Sequence, residues 1–248
     1  MDILTKKHEK CAKLCQDVYV DDHLKTYDHI DQQETDMQVA FVVEEEELII
    51  VFRGSDSSTD WFHNFWMAKT EYPKGSGVYV HSGFLSQVMS IRTILKRKIK
   101  THIEDSKGSI KKITFTGHSA GINCQLAAYL SIDDTDLPIE VITFGAPYMG
   151  NKKFKEIMES RCDCTRIVLD RDIITRMPLV PGYVHCGKPI QIRNKEVLQR
   201  ETSSLEHIHW LLLGAPSADF GVKDHLIWRY YGAIKKWVNG SIETDSES

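Results

Sequence analysis

Residues 113–121 read ITFTGHSAG, an apolar segment that runs directly into a serine flanked by glycines. The part from Gly117 to Gly121 matches the pattern G-x-S-x-G, which by itself is short enough to occur by chance. Its setting makes it informative, because an apolar strand precedes it and a helical pattern opens at Ala120, as a strained strand-to-helix turn requires. We expect Ser119 at the exposed tip of this turn. The two glycines would let the helix and the neighbouring strands approach without side-chain collisions.

Strands and helices alternate on both sides of this turn. Apolar spacing predicts a helix over residues 4–20, strands at Met37–Val43, Leu48–Phe52 and Val78–His81, and a long amphipathic helix from Phe84 to about Ile103. After the turn it predicts strand Val141–Phe144, helix Lys152–Arg161, strand Arg166–Leu169, a hairpin of Tyr183–Cys186 with Ile190–Arg193, and a last helix over about 224–238. This order indicates an α/β fold with a mostly parallel central sheet flanked by helices.

Length and composition are those of one globular domain. The chain has 248 residues, of which 42% are apolar and 27% are charged. We place a single domain over residues 1–239, because α/β units of this size often share one core. Residues 240–248 are polar and acidic, and we expect them to form a disordered tail.

Charge and hydropathy exclude several classes of partner. A net charge of −4, without a basic stripe, argues against a nucleic-acid partner. No apolar run approaches the roughly 20 residues of a spanning helix, so we expect no transmembrane segment. The charged N-terminus lacks a signal-peptide pattern, which favours an intracellular location. The spacing of the six cysteines suits free thiols, each a small buried apolar side chain or an incidental surface thiol, rather than a metal site, and we expect neither metal nor cofactor.

The serine turn is typical of nucleophilic catalysis, although a turn that merely starts a helix is the structural alternative. A serine hydroxyl needs an imidazole to take its proton and a carboxylate to hold that imidazole. In chain order, the acid and then the base would follow Ser119. The backbone N–H of Ala120, at a helix N-terminus, could bind an oxyanion. The remaining candidates are the acids Asp170 and Asp172 and the histidines His185, His207, His209 and His225.

Further motifs occur in order between about Phe41 and Tyr231. They are VFRGS at 51–55 with Asp60-Trp61, VHSGF at 80–84, TFGAP at 143–147 with Gly150-Asn151, RIV at 166–168, and Asp224-His225. With the serine turn, they resemble the class 3 lipases, a family of α/β-hydrolases that includes secreted fungal lipases. Family members usually have Leu after the serine, where this chain has Ala120, and Gly or Ala where it has Ile122. These departures concern acyl-chain preference rather than activity.

The resemblance implies a role for each candidate. It favours Asp172 as the acid, because two apolar residues and then a proline follow it, and His225 as the base before the last helix. It implies a structural role for His185. Ser55 matches the family position that supplies the second oxyanion N–H, and we expect Arg53 to form a structural ion pair. His207 and His209 could share a strand face, but no third metal ligand supports them as a metal pair.

Four aromatic residues stand in a connection that would ordinarily be polar: Trp61, Phe62, Phe65 and Trp66. Their spacing would gather them on one side of a short helix. The family places its movable lid here, so we expect a lid helix that contacts substrate. The alternative is that these rings pack into the core.

The resemblance implies a serine carboxylic-ester hydrolase that cleaves acylglycerol or related lipid esters through an acyl-enzyme. Its partner would be a lipid or ester substrate at a lipid–water interface. A phospholipase, a galactolipase or a small-ester esterase would use the same machinery. From a different class, a catalytically silent lipid-binding or scaffold module could have the same fold.

Overall fold

The computed structural model describes residues 3–54, 69–169, 172–177, 181–193, 196–199 and 223–245. Its α-helices are α1 (Lys6–Asp17), α2 (Asp21–Leu24), α3 (Ser82–Asp105), α4 (Asn123–Ser131), α5 (Lys152–Arg161) and α6 (Ile227–Asp245). Its strands are β1 (Asp28–Gln32), β2 (Met37–Glu44), β3 (Glu47–Phe52), β4 (Lys69–Glu71), β5 (Tyr79–His81), β6 (Lys112–His118), β7 (Ile139–Phe144), β8 (Gly150–Asn151), β9 (Cys162–Leu169), β10 (Tyr183–Val184), β11 (Lys188–Arg193) and β12 (Glu196–Leu198).

The main sheet has eight strands in the order β1-β2-β3-β6-β7-β9-β11-β12. Strands β3, β6, β7, β9 and β11 run parallel to one another. The strands at the two edges pair antiparallel. The predicted fold with a mostly parallel sheet is therefore confirmed, and the carboxyl ends of β6, β7 and β9 meet at one edge of the sheet, where α/β proteins place their sites.

The predicted hairpin of residues 183–186 with residues 190–193 was wrong. Strand β10 pairs with β8 in a small sheet of order β10-β8-β5-β4, whereas β11 joins the main sheet beside β9. Gly187 separates the two strands and has a φ of 98°. A Cβ there would lie 3.1 Å from the backbone of Cys164. The chain thus passes from one sheet to the other at Gly187, beside Cys164 of β9, instead of folding back on itself.

The sheet divides the interior into two cores. Leu48, Ile50 and Phe52 of β3 pack with residues of α3 and α4 on one face. Ile49 and Val51 of the same strand pack with α1 and α6 on the other. Burial on both faces explains why β3 reads as an uninterrupted apolar run.

Other element boundaries differ from the sequence expectation by a few residues. The predicted helix over 4–20 is shorter in the structure, because α1 ends at Asp17 and the chain turns at Val18 to Val20 before the separate helix α2 begins. Helix α6 continues past the predicted end to Asp245, so residues 240–245 of the expected tail are helical. Nothing in those residues breaks a helix as proline would.

The cysteines behave as small apolar side chains. All six are buried. Burial raises the pKa of the Cys11 thiol to about 12 and that of Cys15 further. The expected free thiols are confirmed, and of the two expected settings, buried or incidental on the surface, all six are in the buried one. Among the helices that the structure describes, none is long and apolar enough to cross a bilayer.

His81 caps helix α3 and makes the fold sensitive to acid. The Nδ1 atom of this imidazole accepts the Phe84 N–H at 3.3 Å, and the residue is buried. Burial lowers the pKa of His81 to about 4. In the unfolded chain, His81 has its ordinary pKa of about 6.5. Its contribution to the free energy of unfolding is therefore complete above that pH and is lost as the pH falls towards about 4. The loss at the acid end is about 3 kcal/mol.

We therefore expect His81→Asn to flatten the acid limb of stability. The asparagine can cap the helix but does not titrate. The free energy of unfolding, measured with urea, should fall between about pH 7 and about pH 4.5 in both proteins. We expect this fall to be about 2 to 3 kcal/mol smaller in the variant than in the wild type. Burial also lowers the pKa of His118, so some acid sensitivity remains in the variant. Equal losses in both proteins would contradict this role of His81.

Candidate active site

Ser119 stands at the end of β6 in a strained turn. Its φ is 58°, in the left-handed region that residues with a Cβ rarely occupy. A Cβ on Gly117 would lie 2.1 Å from the carbonyl oxygen of Gly121, and one on Gly121 would lie 2.5 Å from that of Phe52. The prediction that both glycines permit close backbone approach is confirmed. A short 3-10 turn, Ser119–Ile122, precedes α4, where an α-helix from Ala120 was expected.

Three side chains from separate segments form one hydrogen-bonded row. The Oγ atom of Ser119 lies 2.7 Å from Nε2 of His225, and Nδ1 of His225 lies 2.8 Å from Oδ2 of Asp172. Asp172 follows β9, and His225 lies two residues before the start of α6. Contrary to expectation, Ser119 is not exposed, since only 9% of its surface is accessible. The structure thus brings together the serine, acid and base that the sequence predicted.

Both oxygens of the Asp172 carboxylate accept hydrogen bonds. Its Oδ1 accepts the Ile174 N–H at 2.9 Å, and its Oδ2 accepts the Tyr230 hydroxyl at 2.7 Å in addition to the imidazole of His225. The Tyr230 oxygen in turn accepts the Leu169 N–H at 3.0 Å. Burial, followed by the charge of Asp172, raises the pKa of Tyr230, so its hydroxyl remains a donor. These bonds fix the carboxylate plane toward His225.

Sequence reasoning missed the role of Tyr230. This residue shares an apolar face of α6 with Ile227 and Ile234, and all three are buried. The spacing is that of an ordinary core position. No pattern in the sequence distinguishes a tyrosine whose hydroxyl bonds to a carboxylate from one that only fills space.

The structural roles expected of His185 and Arg53 are confirmed. The Nε2 atom of His185 donates to the Thr175 carbonyl at 2.7 Å, and its ring stacks on Tyr148 with centroids 3.9 Å apart. Arg53 forms an ion pair with Asp21 at 2.5 Å. Neither residue belongs to the row of Ser119, His225 and Asp172.

Ala120 is buried and follows Ser119 in the 3-10 turn, so its N–H lies at the N-terminal end of the helical segment. Several other predictions fall outside the described residues. They are the oxyanion residue Ser55, the lid residues Trp61, Phe62, Phe65 and Trp66, and the alternatives Asp170, His207 and His209. In the described part of the chain, no group of three or more His, Cys, Asp or Glu side chains is placed to hold a metal ion.

Gly145 leaves the space that the acid and base occupy. It follows β7 with a φ of 58°. A Cβ there would lie 2.7 Å from Oδ2 of Asp172 and 3.1 Å from Nδ1 of His225. Any side chain must therefore displace the hydrogen bond between these two residues.

We expect Gly145→Ala to lower kcat for ester hydrolysis by about 100-fold or more, because small displacements of reacting groups have effects of that size. It should also cost about 1 to 3 kcal/mol of stability, because alanine is strained at this φ. Gly108→Ala is the matched control, since Gly108 has a φ of 84° and open space around its Cβ position. The control should show the stability loss in urea unfolding without the kinetic loss. Equal kcat values in the two variants would contradict the steric argument.

Comparisons with known proteins place this site in a family. The family model described as Lipase (class 3) matches residues 49–181, just over half of the chain. This chain belongs to the class 3 lipase family. The segment matched to the class 3 lipases contains Ser119 and Asp172, whereas His225 lies beyond it.

The relatives of this class 3 lipase family member include proteins named as phospholipases and proteins named as lipases. A chloroplastic phospholipase A(1) of Arabidopsis thaliana is 31% identical over 150 residues, which are 53% of this chain and 34% of the relative. A lipase of Rhizomucor miehei is 29% identical over 182 residues, which are 70% of this chain and 50% of the relative. The chain thus spans a third to a half of the length of these relatives.

Solved lipase structures share the architecture. The Rhizomucor miehei triacylglyceride lipase superposes with a TM-score of 0.74 and 23% identity, over 89% of this chain and 92% of that one. A triacylglycerol lipase whose catalytic centre is a serine protease triad superposes with a TM-score of 0.67 and 26% identity, over 81% and 78% of the two chains. The α/β-hydrolase fold predicted for this member of the class 3 lipase family is confirmed.

Proposed function

We propose that this protein is a serine carboxylic-ester hydrolase that cleaves acylglycerol or related lipid esters. The observation that carries the proposal is the row of two hydrogen bonds that joins Ser119, His225 and Asp172. Nucleophile, base and orienting acid stand in the order and at the distances that acyl transfer requires.

The first half of the proposed reaction forms the acyl-enzyme. Nε2 of His225 takes the hydroxyl proton of Ser119 while the serine oxygen attacks the ester carbonyl. The carbonyl oxygen becomes negative, and we assign its stabilisation to the N–H groups of Ala120 and Ser55. The imidazolium of His225 then protonates the leaving alcohol, and the C–O bond of the ester breaks. An acyl group remains on Ser119.

The second half repeats these steps with water. His225 removes a proton from a water molecule, whose oxygen attacks the acyl carbonyl. The tetrahedral intermediate collapses, the serine oxygen regains the proton from His225, and the fatty acid leaves. Asp172 accepts the Nδ1–H of His225 throughout, which selects the tautomer whose Nε2 can act as a base.

The family and the names of the relatives support lipid esters as the substrate class. The relatives include a lipase of Rhizomucor miehei and a secreted mono- and diacylglycerol lipase of Fusarium solani. A phospholipase A1 activity is the second candidate, because a phospholipase A(1) of Arabidopsis thaliana reaches 31% identity. The two candidates share every catalytic step and differ only in the group that leaves.

A substrate panel tests the proposal and separates the candidates. Fatty-acid release would be measured from a triacylglycerol emulsion, from phosphatidylcholine vesicles and from short-chain p-nitrophenyl esters, with Ser119→Ala as the blank. We expect release from the acylglycerol above the blank. Release from phosphatidylcholine alone would favour the phospholipase, and turnover of the short-chain esters alone would favour a small-ester esterase. No release from any substrate would contradict an ester hydrolase.

A further inference from the structure

A second hydrogen-bond chain, partly buried at Tyr19 and fully buried at His118, adjoins the row of Ser119, His225 and Asp172. The Tyr19 hydroxyl lies 2.9 Å from Nδ1 of His118, and Nε2 of His118 lies 2.5 Å from the backbone carbonyl oxygen of His225. His118 is 4% exposed and directly precedes the serine. The chain therefore links the segment after α1 to the main chain of the proposed base.

Hydrogen-bond chemistry fixes the direction of this chain. A carbonyl oxygen only accepts, so Nε2 of His118 carries the proton and donates it to His225. Burial, and next the neighbouring His225, lower the pKa of His118 well below its ordinary value, so the imidazole is neutral. Its Nδ1 is consequently an acceptor, and the Tyr19 hydroxyl is the donor. The three groups allow one consistent arrangement.

The carbonyl of His225 depends on this bond. In an α-helix, the N–H four residues further on would bond to it. Here the Arg229 N–H donates to Leu226 instead, because His225 lies before the first turn of α6. The imidazole of His118 takes the place of that missing helical donor. The rings of His118 and His225 are also in contact, with centroids 4.6 Å apart.

Tyr19 is held by the strand end that leads to Ser55. Its hydroxyl oxygen lies 2.1 Å from the position that a Cβ on Gly54 would take. The guanidinium of Arg53 lies 5.8 Å from the centroid of its ring. A side chain at Gly54 would displace the hydroxyl from His118. Tyr19 therefore contacts the end of β3 and the residue before Ser119 at once.

We propose that His118 is a positioning residue that, with Tyr19 behind it, holds the main chain of His225 so that its imidazole stays in line with Ser119. This inference rests on the proposed ester hydrolysis. His118 touches no reacting atom and acts through the carbonyl of His225.

Three variants separate positioning from packing. His118→Phe keeps a ring but removes both nitrogen partners, and we expect kcat to fall about 10- to 100-fold with KM within about 3-fold. His118→Gln retains an amide N–H that can reach the His225 carbonyl, and we expect it to restore kcat to within about 5-fold of the wild type. Tyr19→Phe removes a single hydroxyl, and we expect kcat to fall about 3- to 10-fold.

The experiment measures kcat and KM on a p-nitrophenyl ester, with thermal unfolding of each variant beside it. His102→Phe is the control, since His102 stacks on Phe41 and bonds to Asp28 away from the site; its kcat should not change. Unchanged kcat in His118→Phe and Tyr19→Phe would overturn the proposal, as would a loss that His118→Gln does not relieve or one confined to KM. If His118→Phe does not fold, Tyr19→Phe decides. Inactive wild-type protein would instead contradict the proposed function.

Discussion

Replacing Ser119 with alanine is expected to lower kcat for p-nitrophenyl ester hydrolysis by roughly 10⁵-fold or more, as loss of the nucleophile does in serine hydrolases. Such a loss corresponds to about 7 kcal/mol of transition-state stabilisation. The Oγ atom of Ser119 is the atom that would bond to the acyl group. It lies 2.7 Å from Nε2 of His225. Without it, the imidazole has no serine hydroxyl to deprotonate. Steady-state kinetics on the purified variant measure the effect.

The same substitution should leave stability within about 1 kcal/mol of the wild type, because it removes a single hydrogen bond and keeps the Cβ. Ser160→Ala is the matched control. Its hydroxyl donates to the Ile157 carbonyl on exposed helix α5, and its loss should change neither kcat nor the unfolding temperature. Turnover by Ser119→Ala near the wild-type rate would remove the serine from the mechanism.

Asp172→Asn should have the second largest effect, a fall in kcat of roughly 10³- to 10⁴-fold. If the amide oxygen keeps the bond from the Ile174 N–H, the NH₂ group must face Nδ1 of His225. It would then donate to Nδ1 and move the imidazole proton to Nε2, where it cannot accept from Ser119. If the amide is reversed, two N–H donors meet at Ile174. Either arrangement impairs the base.

Asp170→Asn provides the comparison, because Asp170 is the alternative acid that follows the same strand in sequence. We expect it to retain kcat within about 3-fold, since Asp172 is the carboxylate that bonds to Nδ1 of His225 and sets its tautomer. Kinetics of the two variants on one ester decide between the acids. A large loss in Asp170→Asn with an active Asp172→Asn would reverse the assignment.

The parts of the site that could be predicted from the sequence are those that leave a local pattern. The elbow around Ser119 requires small residues two positions away on both sides, and the structure shows backbone carbonyls where their side chains would be. Asp172 and His225 required more than local pattern, because several acids and histidines follow the serine. The resemblance to the class 3 lipases separated them.

The parts that could not be predicted depend on contacts between distant segments. Tyr19 and His118 are 99 positions apart, and Tyr230 is 58 positions from Asp172. Each reads in the sequence as an aromatic residue of the core, because periodicity reports which face is buried and not which polar atom finds a partner. The wrong hairpin has a similar cause. The strands of 183–184 and 188–193 look adjacent in sequence, and only their pairing partners, β8 for the first and β9 for the second, show that they enter different sheets.

Covalent labelling tests most directly whether the row of Ser119, His225 and Asp172 is a working catalytic centre. The wild-type protein would be treated with a fluorophosphonate probe, which phosphonylates activated serines, and the modified peptide would be identified by mass spectrometry. We predict a single adduct on Ser119, absent from Ser119→Ala and formed much more slowly in Asp172→Asn. A folded wild-type protein that takes up no probe, or that carries it on another serine, would contradict the account.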